Sequence, residues 1–297
     1  MNKERIAVLT DTGSYLSLKE ANDLGIYLLP LQIIEKIDGQ LVSHLDLIDV
    51  KTHDVYSKLY NGTELKTSLP KLSSIYELML RIKDEGYDSV IAIPLTPGIS
   101  STASNIYAVA NEIDLPISII DTYTTCQIQN YIVKEVKQLV DKNYSREEIV
   151  SLIEKQIKGS NSIILAKDIN HLKKGGRITP AAAAFANMMK IFPILTMNHT
   201  TVGKIDVLDK VRTERKAKHI LIEETIKHMN HDNYEVYVIH SDDLENAQSL
   251  KEELVNGGVN ETNVHIADFS SVISVHVGMK CLAIQTIEKL NLESECK

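Results

Sequence analysis

Short apolar runs alternate with amphipathic helical patterns along most of this chain, and no other feature restricts its fold as much. RIAVLTD (Arg5–Asp11) reads as a strand ending in Asp-Thr-Gly-Ser, and YLLPLQII (Tyr27–Ile34) as a second extended run. A polar stretch follows to about Thr67. KLSSIYELMLRIKDEG (Lys71–Gly86) puts Leu72, Tyr76, Met79 and Ile82 on one helical face, with Gly86 as its stop. SVIAI is then a strand, Ser101–Ile113 a helix and ISIID (Ile117–Asp121) a strand. Thr125–Lys142 and Ser145–Lys158 read as helices, the second opened by the capping pattern Ser145-Arg-Glu-Glu148. Strands that alternate with helices imply a parallel sheet covered by helices, hence an α/β fold.

The second half has a different texture. SIILAKDI (Ser162–Ile169) is extended, and KKGGRITP (Lys173–Pro180) is a basic, glycine-rich loop before an Ala-rich helix. FPILTMN (Phe192–Asn198) and GKIDVLDKV (Gly203–Val211) lie close enough to pair as an antiparallel hairpin. A long helix (Arg212–Met229), a strand (Tyr234–His240), a helix to Val255 and a strand (Val264–Phe269) follow, and the last helix is expected to begin near His276. A boundary near Gly159-Ser160-Asn161 gives units of 1–159 and 160–297.

The 297 residues suffice for two domains of ordinary size. A net charge of −8 and the absence of Trp argue against nucleic acid as a partner, because phosphate neutralisation needs a basic surface and single strands need stacking platforms. Cys126, Cys281 and Cys296 have neither metal-ligand spacing nor the pattern of a disulfide framework. The first residues carry too short an apolar run for a signal peptide, and no stretch approaches the ~18 apolar residues of a membrane span. A reduced, cytoplasmic protein is expected. The His-rich piece KHMNHD (Lys227–Asp232) lacks a strong metal spacing, so no metal is expected.

Ligands of open α/β sheets bind beyond the carboxyl ends of the strands. The residues there are Asp11-Thr12-Gly13-Ser14, Thr96 to Thr102 and Asp121-Thr122, with a further hydroxyl cluster in KTSLPK (Lys66–Lys71). Hydroxyls beside helix N-termini supply neutral donors to an anion, and they are also ordinary helix caps. A serine nucleophile would need G-x-S-x-G, but Gly98-Ile99-Ser100-Ser101-Thr102 lacks the second glycine. The cations come later, as Arg177 in KKGGR and Arg212 in RTERKAKH, and a guanidinium suits phosphate or carboxylate. There is no G-x-x-x-x-G-K-[ST], hence no familiar way to hold ATP.

These pieces, in this order, resemble the DegV family: Thr67-Ser68-Leu69-Pro70, Gly98-Ile99-Ser100-Ser101-Thr102, Lys173 to Ile178, Gly203-Lys204-Ile205, Arg212 to Ala217, and His276-Val277-Gly278. The resemblance spans the chain. It implies two α/β domains, the first three-layered with a mainly parallel sheet and the second with a mixed sheet, and a long-chain fatty acid held in the cleft between them. It implies a lipid-binding subunit rather than an enzyme. No residue would be catalytic and no cofactor would be needed. A partner, a dihydroxyacetone-kinase-like fatty acid kinase, would convert the bound carboxylate to an acyl phosphate. Contact with membrane surfaces would be transient at most. Thr67 and Ser100 would hold the carboxylate with His276 beside them and Gly98 and Ser101 shaping the turn. Arg177 and Arg212 would face a phosphate or the partner. Two positions depart from the family pattern: Lys71 stands where the first motif usually ends in Ser, and Ser101 replaces a glycine. Phe185, Met188, Met189 and the run Ile191 to Met197 are candidates for an apolar tunnel wall. The alternatives are a binder of a polar or phosphorylated small molecule, and a serine hydrolase with His276 as base.

Overall fold

The computed structural model describes residues 4–185, 191–229 and 233–291. In chain order its elements begin with β1 (Ile6–Asp11), α1 (Leu18–Leu24), β2 (Tyr27–Leu29), β3 (Gln32–Ile37), β4 (Gln40–Leu45), α2 (Thr52–Tyr60) and β5 (Leu65–Ser68). Then come α3 (Leu72–Asp84), β6 (Ser89–Ile93), α4 (Thr102–Glu112), β7 (Ile117–Ile119), α5 (Cys126–Asp141) and α6 (Arg146–Ile157). The second half has β8 (Asn161–Leu165), α7 (Ile169–Gly175), α8 (Pro180–Ala184), β9 (Phe192–Met197), β10 (Asp206–Val211), α9 (Glu214–His228) and β11 (Tyr234–His240). It ends with α10 (Leu244–Asn256), β12 (Val264–Asp268), α11 (Ser271–Val277) and β13 (Leu282–Glu288).

The parallel sheet has the order β2-β1-β6-β7. Its strands are apolar on both faces because helices cover both. Ile6, Val8, Ile91 and Ile93 pack with residues of α1, α5 and α6, whereas Leu9, Val90 and Ala92 pack with residues of α3 and α4. The second sheet is mixed, in the order β10-β9-β8-β13-β11-β12, with only β11 and β12 parallel. One of its faces carries Ile163, Leu165, Val236 and Ile284 toward α9 and α10. The other face carries Ile164, Ile239 and Ala283 into a core shared with Leu31, Leu95 and Cys126 of the first half. That shared core surrounds the cavity described below.

Four sequence expectations change. YLLPLQII is two strands in two sheets: β2 joins the parallel sheet, and β3 joins a three-stranded antiparallel sheet, β4-β3-β5. Pro30 separates them, since proline has no N–H for the ladder. The polar stretch before Thr67 holds β4 and α2. Its signal is Asp38-Gly39, at φ 50° and 82°, the turn dipeptide of a two-residue hairpin. No helix begins at His276. That residue lies in the last turn of α11, and the chain then enters β13 between β8 and β11. A central strand buried on both faces has no alternation to betray it. The KKGG segment is likewise not all loop: Lys173, Lys174 and Gly175 close α7, and Gly176 caps it at φ 71°.

Candidate functional site

A cavity of about 330 Å³ lies between the two sheets, in the size range of small-molecule sites. Its apolar wall includes Leu31, Leu95, Ile164, Met197, Phe269 and Ile273. Thr67, Gly98, Ser100, Ser101, Arg177 and His276 also line it, so six of the seven expected residues come together. Arg212 does not join them. It is exposed just beyond β10 and borders neither this cavity nor the next. Of the expected tunnel wall, Met197 faces the cavity, while Phe185 lies under the Lys210 ammonium. Met188, Met189 and Cys296 fall outside the described residues.

Thr67 ends up opposite His276 because β5 pairs with β3 and packs on α11. Thr67 Oγ1 and His276 Nε2 are 2.7 Å apart. Burial pushes the imidazole pKa down to about 4, helped by the Arg177 guanidinium and the neighbouring His171. The ring is therefore neutral near pH 7, with one donor and one acceptor nitrogen. Gly175 lies against it: a Cβ there would stand 2.8 Å from Nδ1. Arg177 Nη1 donates to the Gly175 carbonyl at 2.5 Å, and no carboxylate pairs with this guanidinium among the described residues.

The hydroxyl-rich turn after β6 divides its duties. Thr96 is buried, and its Oγ1 accepts the Gly98 N–H at 3.3 Å. Ser100 Oγ accepts the Thr102 N–H at 3.2 Å and so caps α4, yet it also borders the cavity. Ser101 is exposed with φ −97°, a conformation open to any residue, so the serine that replaces a glycine brings no backbone strain. Gly98 is fixed by close approach, because a Cβ would lie 2.3 Å from the Gly203 carbonyl oxygen. The other departure, Lys71, is exposed at the start of α3 without a capping bond from its side chain.

A wider cavity of about 760 Å³ adjoins the first and shares Thr67, Arg177 and His276 with it. Lys66, His171 and Lys174 border this second space. Asp11, Thr12 and Ser14 are fully buried and line neither cavity. Instead the Asp11 carboxylate accepts N–H groups from Leu95, Gly13 and the Gln129 amide, tying β1, the turn after β6 and α5 together. Burial raises its pKa to about 6 despite these bonds.

Sequence reasoning missed a second polar group on the cavity wall, made of Thr124, Thr125, Ser162 and Gln285. Ser162 and Gln285 face each other across β8 and β13. Single polar residues inside apolar strands resemble ordinary alternation, and only their register brings them together. Ser100 and His276 share no hydrogen bond among the described residues, since His276 is engaged with Thr67 and Ser100 with Thr102. That is not the nucleophile–base pair of a serine hydrolase. Among the described residues no cluster of His, Cys, Asp and Glu is fit to hold a metal ion, and no helix is long and apolar enough to cross a membrane. Of the His-rich piece, His228 bonds the Gly159 carbonyl at 3.0 Å, and residues 230–232 fall outside the described ones.

A parallel sheet and a mixed sheet closing on a cavity with an apolar wall and a polar end define an α/β protein with an amphipathic cavity between its sheets. The chain belongs to the DegV family: the family's sequence model, described as "Uncharacterised protein, DegV family", matches residues 5–289. A DegV domain-containing protein of Streptococcus pneumoniae is 32% identical over 282 residues, covering 94% of this chain and 98% of the relative. The crystal structure of a fatty acid binding DegV family protein from Streptococcus agalactiae superposes with a TM-score of 0.86 at 31% identity, covering 96% of this chain and 99% of that one. DegV from Bacillus subtilis, described as a fatty acid binding protein, gives a TM-score of 0.81 at 26% identity, with 97% and 100% covered.

Proposed function

We propose that this protein binds a long-chain fatty acid in the cavity between its sheets and presents the carboxylate to a partner kinase for conversion to an acyl phosphate. The two units, residues 1–159 and 160–297, would close on the ligand from either side. The observation that carries the reading is the pairing of an apolar wall with a polar end whose donors, Thr67, Ser100 and a neutral His276, bear no fixed charge. The fatty acid named for the Streptococcus agalactiae relative supports it.

The chemistry is consistent with that ligand. In the proposed complex the Thr67 hydroxyl donates to a carboxylate oxygen while accepting from His276 Nε2–H, and Ser100 donates to the other oxygen. Neutral donors hold the anion without a buried ion pair, whose desolvation would be costly. Most of the affinity comes from the tail, at about 0.8 kcal/mol per buried methylene. Arg177, which pairs with no carboxylate among the described residues, stands where the two cavities meet and suits the phosphate of the product. Exposed Arg212 is assigned to the partner's surface, and phosphoryl transfer to the partner's ATP site. The protein itself then works as a cytoplasmic carrier that needs no cofactor.

Native mass spectrometry of the purified protein, with organic extraction of what it carries, tests the reading. A co-purified mass of a long-chain acid is expected. A protein that stays empty when offered fatty acids would sink the proposal.

A further inference from the structure

The second polar group on the cavity wall is built as tightly as the first and shares no hydrogen bond with it among the described residues. Thr124 and Ser162 are each 1% exposed and Gln285 is 4% exposed. The Gln285 Oε1 accepts N–H groups from Gln127 and Ile128 at 3.1 and 3.2 Å, in the first turn of α5. Thr125, which precedes that helix, makes no capping bond with its own side chain, so Gln285 caps it from the other sheet. This fixes which end of the amide carries the nitrogen. Nε2 donates toward Thr124 Oγ1 (3.1 Å), the Thr125 carbonyl (2.9 Å) and Ser162 Oγ (3.0 Å). Its two protons are therefore committed.

The hydroxyls leave a remainder. Thr124 Oγ1 and Ser162 Oγ are 2.7 Å apart, and one proton bridges them. The two amide protons are shared among these oxygens and the Thr125 carbonyl. Two hydroxyls carry two protons, so one proton of the pair has no acceptor among the described residues, and both residues line the cavity. A buried donor without an acceptor disfavours an apolar neighbour and favours an oxygen.

We infer that the cavity selects an acyl chain carrying a second oxygen, a hydroxyl or keto group part-way along or at the end of its tail, with Thr124 and Ser162 as the residues that read it. The inference rests on the fatty-acid reading of the same cavity. The group accepts the spare hydroxyl proton of the pair. An unsubstituted chain leaves that proton facing methylenes.

The test is a competition titration against a fluorescent fatty acid. Hexadecanoic acid is compared with hydroxy- and oxo-hexadecanoic acids whose oxygen is moved stepwise along the chain. At one position the oxygenated acid is expected to bind at least roughly tenfold tighter than hexadecanoic acid, a difference of about 1.4 kcal/mol. In Thr124→Val, and separately in Ser162→Ala, that ratio should fall below about twofold, as expected when the reading hydroxyl is removed. The wild-type comparison needs no variant, so a misfolded mutant leaves it standing. If hexadecanoic acid binds as tightly as every oxygenated acid, the selectivity is refuted while the fatty-acid reading survives. If no acid binds, both fall together.

Discussion

His276 is a histidine kept out of its usual pH range by position. Its folded pKa of about 4 lies below the ordinary value, so it stays neutral where an exposed histidine would charge. Such a group suits a site that must hold an anion without pairing to it. Replacing Thr67 and Ser100 together by Ala should weaken fatty-acid affinity by roughly a hundredfold or more, because each removes a hydrogen bond to a charged group worth at least about 1.5 kcal/mol. Titration calorimetry would measure it, and unchanged affinity would refute the headgroup assignment. Asp46 is the opposite case. It is fully buried, and neither carboxylate oxygen has a hydrogen-bond partner among the described residues, although the Thr12 and Ser271 hydroxyls lie close by. Burial raises its pKa from 3.8 to about 6, so the folded state takes up a proton more readily than the unfolded chain does. Its contribution to stability is thus fullest at pH 3.8 and below and is lost as pH rises through about 6. Asp46→Asn should stabilise the protein at pH 8 by up to about 3 kcal/mol, at about 1.4 kcal/mol for each pKa unit. The gain should shrink toward pH 4. Denaturant melts of both proteins across that range would show it, and a gain independent of pH would contradict the buried charge. Thr67, Ser100, Arg177 and His276 were legible in the sequence because each sits in a short pattern of glycines, prolines and hydroxyls. Asp46 and Gln285 sit in no such pattern, and their roles depend on what packs around them.

Elements whose faces differ in polarity, or whose ends are marked, could be read from the chain. The helix α6 opens with the capping box that Ser145 and Glu148 announce, and its bonds are present at both ends of the box. The strand β13 could not be read, because it is covered on both sides and its register with β8 exists only in the folded sheet. The join between α7 and α11 is where element geometry reaches the site. Gly175 is the last residue of α7 and lies against the His276 ring. An alanine there improves the helix by up to about 1 kcal/mol, yet its methyl displaces the ring. Gly175→Ala is therefore expected to keep or raise the melting temperature while lowering fatty-acid affinity roughly tenfold, about 1.4 kcal/mol. Calorimetry and a thermal melt on one sample separate the two effects. Affinity equal to wild type would mean that His276 need not stand where it does.

At the scale of the whole molecule, the cavity is a property of neither half alone. Its wall takes Leu31, Leu95 and Thr124 from residues before the α6–β8 connection and Ile164, Val272 and Ala283 from residues after it. The core around it is likewise shared: Cys126 and Leu95 pack in the same cluster as Phe269 and Cys281. The alternation of patterns foretold a parallel sheet and the family resemblance a second, mixed one, but neither showed how the second sheet's face would meet the loops of the first, since that depends on strand order. A ligand filling such a space touches both halves at once, so it binds the folded chain and not the unfolded one. Saturation at a hundred times Kd then adds about 2.7 kcal/mol to the free energy of unfolding. For a chain of this size that should raise the melting temperature by roughly 5 °C. Because the halves share one core, they should melt together in a single transition with and without ligand. A scan in which fatty acid shifts only part of a split transition would show that the lipid is held by one half alone, and the cavity between the sheets would lose its claim to be the site.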